Sequence, residues 1–233
     1  MTDSGRISLV EDDPEMRHFL AAGLEAHGYQ VAVSETGQQA LTSLAGAKPD
    51  VILLDLGLPD VDGTTLIDEI RSWSQTPIIV VSSRTAVREK IQALDHGASD
   101  YVTKPFDLGE LLARIRAALR HIGHVTGPNE PFLKAGTLEI DLLRREVRRN
   151  GALVKLSPRE FTLLRHLALN ADQVLTHQMI LREVWGVAHL NDTHYLRIFI
   201  GRLRQKLEEE PARPRLIVTE SGVGYRFRIP PPL

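Results

Sequence analysis

Apolar positions along the chain follow two rhythms. In the first half, short apolar runs at 7–10, 30–33, 51–54, 78–81 and 101–103 alternate with longer segments at 14–27, 36–45, 64–72, 86–95 and 107–121. In those segments apolar residues recur every three or four positions, the spacing of a helix with one buried face. A short unbroken apolar run between turn residues predicts a strand buried on both sides. Five strands alternating with five helices predict an α/β domain built on a doubly wound parallel sheet, with the second strand at an edge.

The second half changes rhythm after His121. Residues 122–132 hold Gly123, Gly127, Pro128 and Pro131 without periodicity, which predicts a linker between domains at 1–121 and 133–233. Strand-like runs follow at 137–141 and 145–156, the latter broken by Asn150-Gly151, a hairpin signal. Ser157-Pro158-Arg159-Glu160 has the layout of a capping box with proline at the first helical position, opening a helix to about Asn170. Thr176 is placed to cap a second helix ending near Trp185, and a third is expected from Asp192 to Glu208. Two runs at 216–219 and 225–228 enclose Gly222 and Gly224 as a closing hairpin. Three helices and a hairpin predict an α+β winged helix-turn-helix domain.

Placing residues 192–208 on a helix gathers Leu196, Phe199, Ile200, Leu203 and Leu207 on one face. The opposite face carries His194, Arg197, Ile198, Gly201, Arg204 and Gln205, with Arg202 at its flank. A bare glycine among long polar side chains allows close approach to another surface. A recognition helix for a DNA major groove has this character, and a solvated basic face has it equally. The hairpin, with Thr219 and Ser221, adds a wing able to reach the DNA.

Candidate chemistry in the first half sits where its strands end. The first run ends in Glu11-Asp12-Asp13, the third in Asp55, the fourth in Ser82-Ser83 and the fifth in Thr103-Lys104-Pro105. In a doubly wound sheet these ends form one rim, where ligands bind. One such acid is readily explained as a helix cap, but the combination of acids, a hydroxyl and a lysine favours a site. Asp12 and Asp55 would repel unless a cation lay between them, and hard oxygen ligands with open positions suit Mg2+. Lys104 then supplies a fixed charge and Ser82 a hydroxyl for a phosphoryl group, with Asp55 as its acceptor. A structural Asp–Lys ion pair is the competing account, and it leaves the other acids unexplained.

Composition removes some alternatives. Cysteine is absent, so disulfides, thiolate chemistry and cysteine-ligated metals are excluded. No apolar run approaches the length of a membrane span and the N-terminus lacks a signal-peptide layout, so a cytoplasmic protein without membrane insertion is expected. The net charge of −2 hides an asymmetry: residues 1–121 carry 11 Lys+Arg against 18 Asp+Glu, whereas 122–233 carry 17 against 12. Only the second half is suited to meet a polyanion.

Val10-Glu11-Asp12-Asp13, 54–60, Asp62-Gly63, Val81-Ser82 and Lys104-Pro105-Phe106 together resemble the receiver domain of two-component response regulators. Leu156–Phe161, Val174-Leu175-Thr176, Val184-Trp185-Gly186 and 222–227 resemble the effector domain of the OmpR/PhoB group. The resemblance implies a sheet order of 2-1-3-4-5 and Asp55 as phosphoacceptor. It also implies a Mg2+ shell of Glu11, Asp12, Asp55 and the Gly57 carbonyl. Ser82 and Lys104 are assigned to the phosphoryl group, and Tyr101 becomes an aromatic switch beside Ser82. The implied partners are a sensor histidine kinase, promoter DNA and RNA polymerase. The phosphorylated form is expected to dimerise, with Lys90 facing Glu110 and Asp100 facing Arg114 between subunits. Residues 194–198, 203–208 and 211–215 extend the likeness to regulators of potassium-uptake operons. A conventional enzyme is not expected: Gly57 stands where phosphatases of related layout commonly place an aspartate. Phosphorylation-independent DNA binding, and a winged helix that binds protein, remain alternatives.

Overall fold

The computed structural model describes residues 5–124 and 132–229, and the chain separates into two compact units, Met1–His124 and Val125–Leu233. In the first unit β1 (Arg6–Val10), β2 (Gln30–Ser34), β3 (Val51–Leu54), β4 (Ile78–Ser82) and β5 (Asp100–Thr103) form one sheet. Its order is β2-β1-β3-β4-β5 and every neighbouring pair is parallel. Parallel strands need crossovers, and crossover helices cover both faces of the sheet. That is why all four residues of β3 are apolar and fully buried.

The crossovers are α1 (Pro14–Ala26), α2 (Gly37–Gly46), α3 (Gly63–Arg71) and α4 (Val87–Asp95), followed by α5 (Leu108–His124). Leu20 and Leu24 of α1 pack with Leu111 and Ile115 of α5 against Ile7, Leu9 and Leu53. The alternate strand residues Val10, Ile52 and Leu54 are equally buried and serve the opposite face. Helix α5 continues to His124, three residues past the expected boundary at 121. Of the remainder of the expected linker, 125–131 lies outside the described residues and Phe132 opens the next strand.

The second unit opens with a four-stranded antiparallel sheet, β6 (Phe132–Ala135), β7 (Leu138–Asp141), β8 (Glu146–Arg149) and β9 (Ala152–Leu153). The single run expected over 145–156 is the β8–β9 hairpin. It turns at Asn150 (φ 50°) and Gly151 (φ 77°), the left-handed pair that an Asn-Gly turn supplies. Next come α6 (Pro158–Leu169), β10 (Val174–Thr176), α7 (His177–Trp185), α8 (Thr193–Leu207), β11 (Ile217–Glu220) and β12 (Gly224–Phe227). β10 joins the closing hairpin in a sheet of order β10-β12-β11. The capping box of α6 forms: Glu160 N donates to Ser157 Oγ at 3.3 Å, and Ser157 N donates to a Glu160 oxygen at 2.7 Å. Lys206 of α8 also reaches Glu160, at 2.7 Å, so one carboxylate closes the helix start and ties two helices together.

A titratable group lies within this unit. Burial, opposed by the Glu183 charge and helped by Arg165, holds the His166 imidazole below the usual 6.5, and its Nε2 has no hydrogen-bond partner. The folded unit therefore resists a proton that the unfolded chain accepts. The contribution to stability is complete above pH 6.5 and is lost as pH falls below it. The thermal midpoint of the second unit should fall between about pH 7.5 and about pH 5.5, and fall less in His166→Phe. An identical pH slope in that variant would assign the effect to another group.

Candidate functional site

Several acids beyond the strand ends are committed to helix termini, whose first N–H groups have no intrahelical acceptor. Asp13 Oδ1 accepts Met16 N at 2.7 Å at the start of α1. The Asp60 carboxylate accepts Gly37 N at 2.9 Å and Gln38 N at 3.0 Å at the start of α2, and these bonds hold its pKa below the usual value. Asp62 Oδ1 accepts Thr64 N at 2.9 Å at the start of α3. Glu11, Asp12 and Asp55 serve no such terminus.

These three come together. One oxygen from each lies within 4.8 Å of the others, and no other group of this kind occurs among the described residues. Glu11 and Asp55 are buried and Asp12 is exposed. Lys104, arriving from the end of β5, donates to Glu11 at 2.9 and 2.8 Å and to Asp55 Oδ2 at 2.6 Å. The other Asp55 oxygen accepts Gly57 N at 3.1 Å, which fixes the carboxylate plane. The turn-forming residues after β3 thus bring a backbone donor back onto the acid that ends the strand.

One ammonium bridges two carboxylates, and that of Asp12 lies beside them. Burial pushes the Glu11 carboxyl up to about 7, against the hydrogen bond and charge of Lys104 and in concert with the Asp55 charge. Burial also disfavours the charge on Lys104, but its hydrogen bonds to Asp55 and Glu11 prevail and raise its pKa. Hard oxygen donors with uncompensated negative charge match what a small divalent cation requires.

Ser82 and Tyr101 adjoin this rim through a residue that no sequence pattern marked. Lys104 N donates to Ser82 O at 2.9 Å, holding the ends of β4 and β5 together. The buried Ser82 hydroxyl accepts Arg84 N at 3.3 Å, and the buried Tyr101 hydroxyl donates to Arg84 O at 2.8 Å. The Arg84 guanidinium crosses to the loop after β3, binding Leu56 O at 3.2 Å and Asp62 at 2.9 Å.

The four residues expected to pair between subunits are largely engaged within one chain. Arg114 binds Asp100 at 2.9 Å and Glu110 at 2.7 Å, so the Asp100–Arg114 bond forms without a second subunit. The Lys90 ammonium lies 5.6 Å from the Tyr101 ring centre. The helical-wheel reading of α8 fits the described surface at His194, Arg197, Ile198, Gly201, Arg202 and Gln205, all exposed. Arg204 differs. Its Nε and Nη2 donate to Ile217 O at 2.9 and 2.6 Å, and Nη2 also donates to Thr219 Oγ1 at 2.8 Å. The wheel counts angle around α8 but not β11 lying alongside it, whose terminal acceptors capture the guanidinium. Ser221 is exposed at the hairpin turn.

Residues 7–116 match the response regulator receiver domain, and residues 151–227 match the C-terminal domain of transcriptional regulatory proteins. The chain is 48% identical to the KDP operon transcriptional regulatory protein KdpE of Escherichia coli K12, across 96% of this chain and 99% of that protein. It is 42% identical to the transcriptional regulatory protein KdpE of Mycobacterium tuberculosis, across 95% and 98%. The Thermotoga maritima response regulator DrrB, an OmpR/PhoB homologue, superposes with a TM-score of 0.51 at 29% identity, across 97% of this chain and 99% of that one. No helix among the described residues is long and apolar enough to cross a membrane. With a receiver-type acidic rim in its first unit and a DNA-binding effector domain in its second, the chain belongs to the OmpR/PhoB family of two-component response regulators.

Proposed function

We propose that Asp55 accepts a phosphoryl group from a phosphohistidine of a sensor kinase. In this reading the phosphorylated protein dimerises and binds promoter DNA, controlling a potassium-uptake operon. The observation that carries the chemistry is the bridge of Lys104 between Glu11 and Asp55, with Gly57 N–H on the far Asp55 oxygen. An Asp55 oxygen attacks phosphorus as the phosphorus–nitrogen bond of the donor breaks, and the donor imidazole leaves with the bonding pair. Glu11, Asp12, Asp55 and the Gly57 carbonyl would hold Mg2+, which neutralises phosphoryl oxygens when bound. Lys104 exchanges one carboxylate contact for a phosphoryl oxygen and keeps its charge, because its raised pKa secures the ammonium. Ser82 turns its hydroxyl from Arg84 N towards the phosphoryl group. Tyr101, already buried beside Ser82, then gives up its bond to Arg84 O and follows the serine hydroxyl.

We assign phosphoacceptance to residues 1–121 and DNA recognition to 133–233, joined by 122–132. Lys90, Asp100, Glu110 and Arg114 lie on α4, β5 and α5, where an activated dimer would form. Because Arg114 already binds both acids, that dimer exchanges bonds rather than creating new ones; the outer pair with Glu110 is worth only ~0.2–1 kcal/mol, while Asp100 is buried beneath it. The role of these pairs is to set register. The potassium-operon target rests on the likeness to the KdpE proteins, and RNA polymerase is the partner the activated dimer would recruit.

DNA recognition is tested by titrating a promoter fragment at several salt concentrations. Arg197→Ala and Arg202→Ala should each weaken binding, and loss of a phosphate contact reduces the salt slope by about 1. Arg204→Ala should weaken binding and also loosen β11, lowering the thermal midpoint. Unchanged affinity in all three at matched salt would mean that α8 is not the recognition helix.

A further inference from the structure

We infer that Arg17 of α1 is the positioning residue that turns Glu11 and Asp12 towards Asp55 and so sets the affinity of the rim for a divalent cation. Its Nη1 donates to two consecutive carbonyls, Glu11 O at 3.1 Å and Asp12 O at 2.9 Å. Its Nη2 pairs at 3.0 Å with Glu35, the residue following β2. The Arg17 side chain is mostly covered, at 18% exposure.

The geometry explains the effect. Two adjacent carbonyls drawn to one guanidinium fix the peptide planes on either side of the Asp12 Cα, and hence the direction in which the Asp12 side chain leaves the backbone; with Glu11 N held on Ser34 O, both planes flanking Glu11 are fixed as well. The stretch is also held from either side. Glu11 N donates to Ser34 O at 3.1 Å, and Asp13 closes the first turn of α1 through Met16 N. Arg17 thus holds this turn by its carbonyl oxygens, which leaves the carboxylates of Glu11 and Asp12 free for the rim. A planar fork of five donors serves this purpose, whereas a lysine offers a point charge without a fixed plane.

Glu35 completes the device. A free guanidinium beside the rim would repel an incoming cation, and the Glu35 carboxylate balances it at contact distance. The acid that ends the edge strand, outside the three-carboxylate cluster, is therefore part of the same arrangement one step removed.

This inference rests on the reading of the rim as a Mg2+ site, and the experiment separates the two. Mg2+ alone is titrated into the full chain while the amide signals of Asp12, Asp55 and Gly57 are followed, for wild type, Arg17→Ala and Arg17→Lys. Thermal unfolding is recorded for each. Loss of an outer-shell partner should raise the Mg2+ dissociation constant roughly tenfold or more in R17A. R17K should fall between R17A and wild type. A folded R17A or R17K that binds Mg2+ within about twofold of wild type, even with a lower thermal midpoint, would reduce Arg17 to a structural residue and overturn the inference. If R17A does not fold, R17K alone decides by the same criterion. Wild type without any Mg2+ response would sink the metal reading itself, and the role of Arg17 with it.

Discussion

Asp55→Asn abolishes incorporation of phosphoryl label, from the kinase or from a small phosphodonor, while leaving the fold intact. The substitution keeps the shape of the side chain and an oxygen able to accept Gly57 N–H, and Lys104 retains its two bonds to Glu11. What is lost is the nucleophile, because an amide oxygen does not form a stable acyl phosphate with this donor. The capping acids provide the contrast. Asp13→Asn and Asp60→Asn should both retain labelling, at a stability cost of only ~0.3–1 kcal/mol, because Asn still accepts a capping bond and what is lost is mainly the negative charge at the helix start. Denaturing gel autoradiography of the four proteins reads the result directly. Label that persists on D55N, or that disappears equally from D60N, would show that the acceptor has been misplaced.

That contrast also marks how far the sequence could be read. Val51-Ile52-Leu53-Leu54 announces a strand covered on both faces, because no polar residue interrupts four positions that alternate in direction. The parallel sheet and its four crossovers were legible for the same reason: each buried run is bounded by residues that stop it. The strands β6 and β10 were not legible. They are four and three residues long, and β10 runs directly into Thr176, which is read more readily as a helix cap than as the end of a strand. Their pairing depends on β7 and β12, partners that no local pattern reveals.

The site divides in a similar way. Acids and a lysine at equivalent strand ends predicted the convergence of Glu11, Asp12, Asp55 and Lys104, since topology alone brings strand ends to one rim. Which acids were caps could not be read in advance, because Asp13, Asp60 and Asp62 differ from Asp55 only in the backbone they meet. Asp60 shows the difficulty, since it caps a helix 23 residues before it. Arg17 and Arg84 left no signal, for their partners are mostly carbonyl oxygens, which every residue carries. Arg204 gave a misleading one. A helical wheel assigns it to the outer face, and only the arrival of β11 converts it from a free cation to a clip.

Glu208→Ala should unfold the second unit more readily than any single loss on the exposed face of α8. Glu208 is buried, and its carboxylate accepts three successive backbone donors at the entry to β11: Arg215 N at 2.9 Å, Leu216 N at 3.0 Å and Ile217 N at 2.8 Å. It also ends α8, where its own carbonyl accepts Arg149 Nη1 at 3.0 Å, so it joins a helix, a turn and two sheets. Removing the carboxylate strands three N–H groups, each worth about 1–3 kcal/mol if left without water. Partial hydration reduces the total to roughly 3–5 kcal/mol. For a unit of this size the thermal midpoint then falls by more than about 10 °C. Glu208→Gln keeps one acceptor oxygen and should lie between. Because β11 supplies both acceptors that hold Arg204, E208A should also loosen the wing and lower DNA affinity, while labelling of Asp55 continues undiminished. Hydrogen exchange of β11 and β12, followed together with the unfolding transition, checks both halves of this expectation. A midpoint within a few degrees of wild type would mean that water replaces the carboxylate at little cost and that the hairpin is held by its apolar contacts alone.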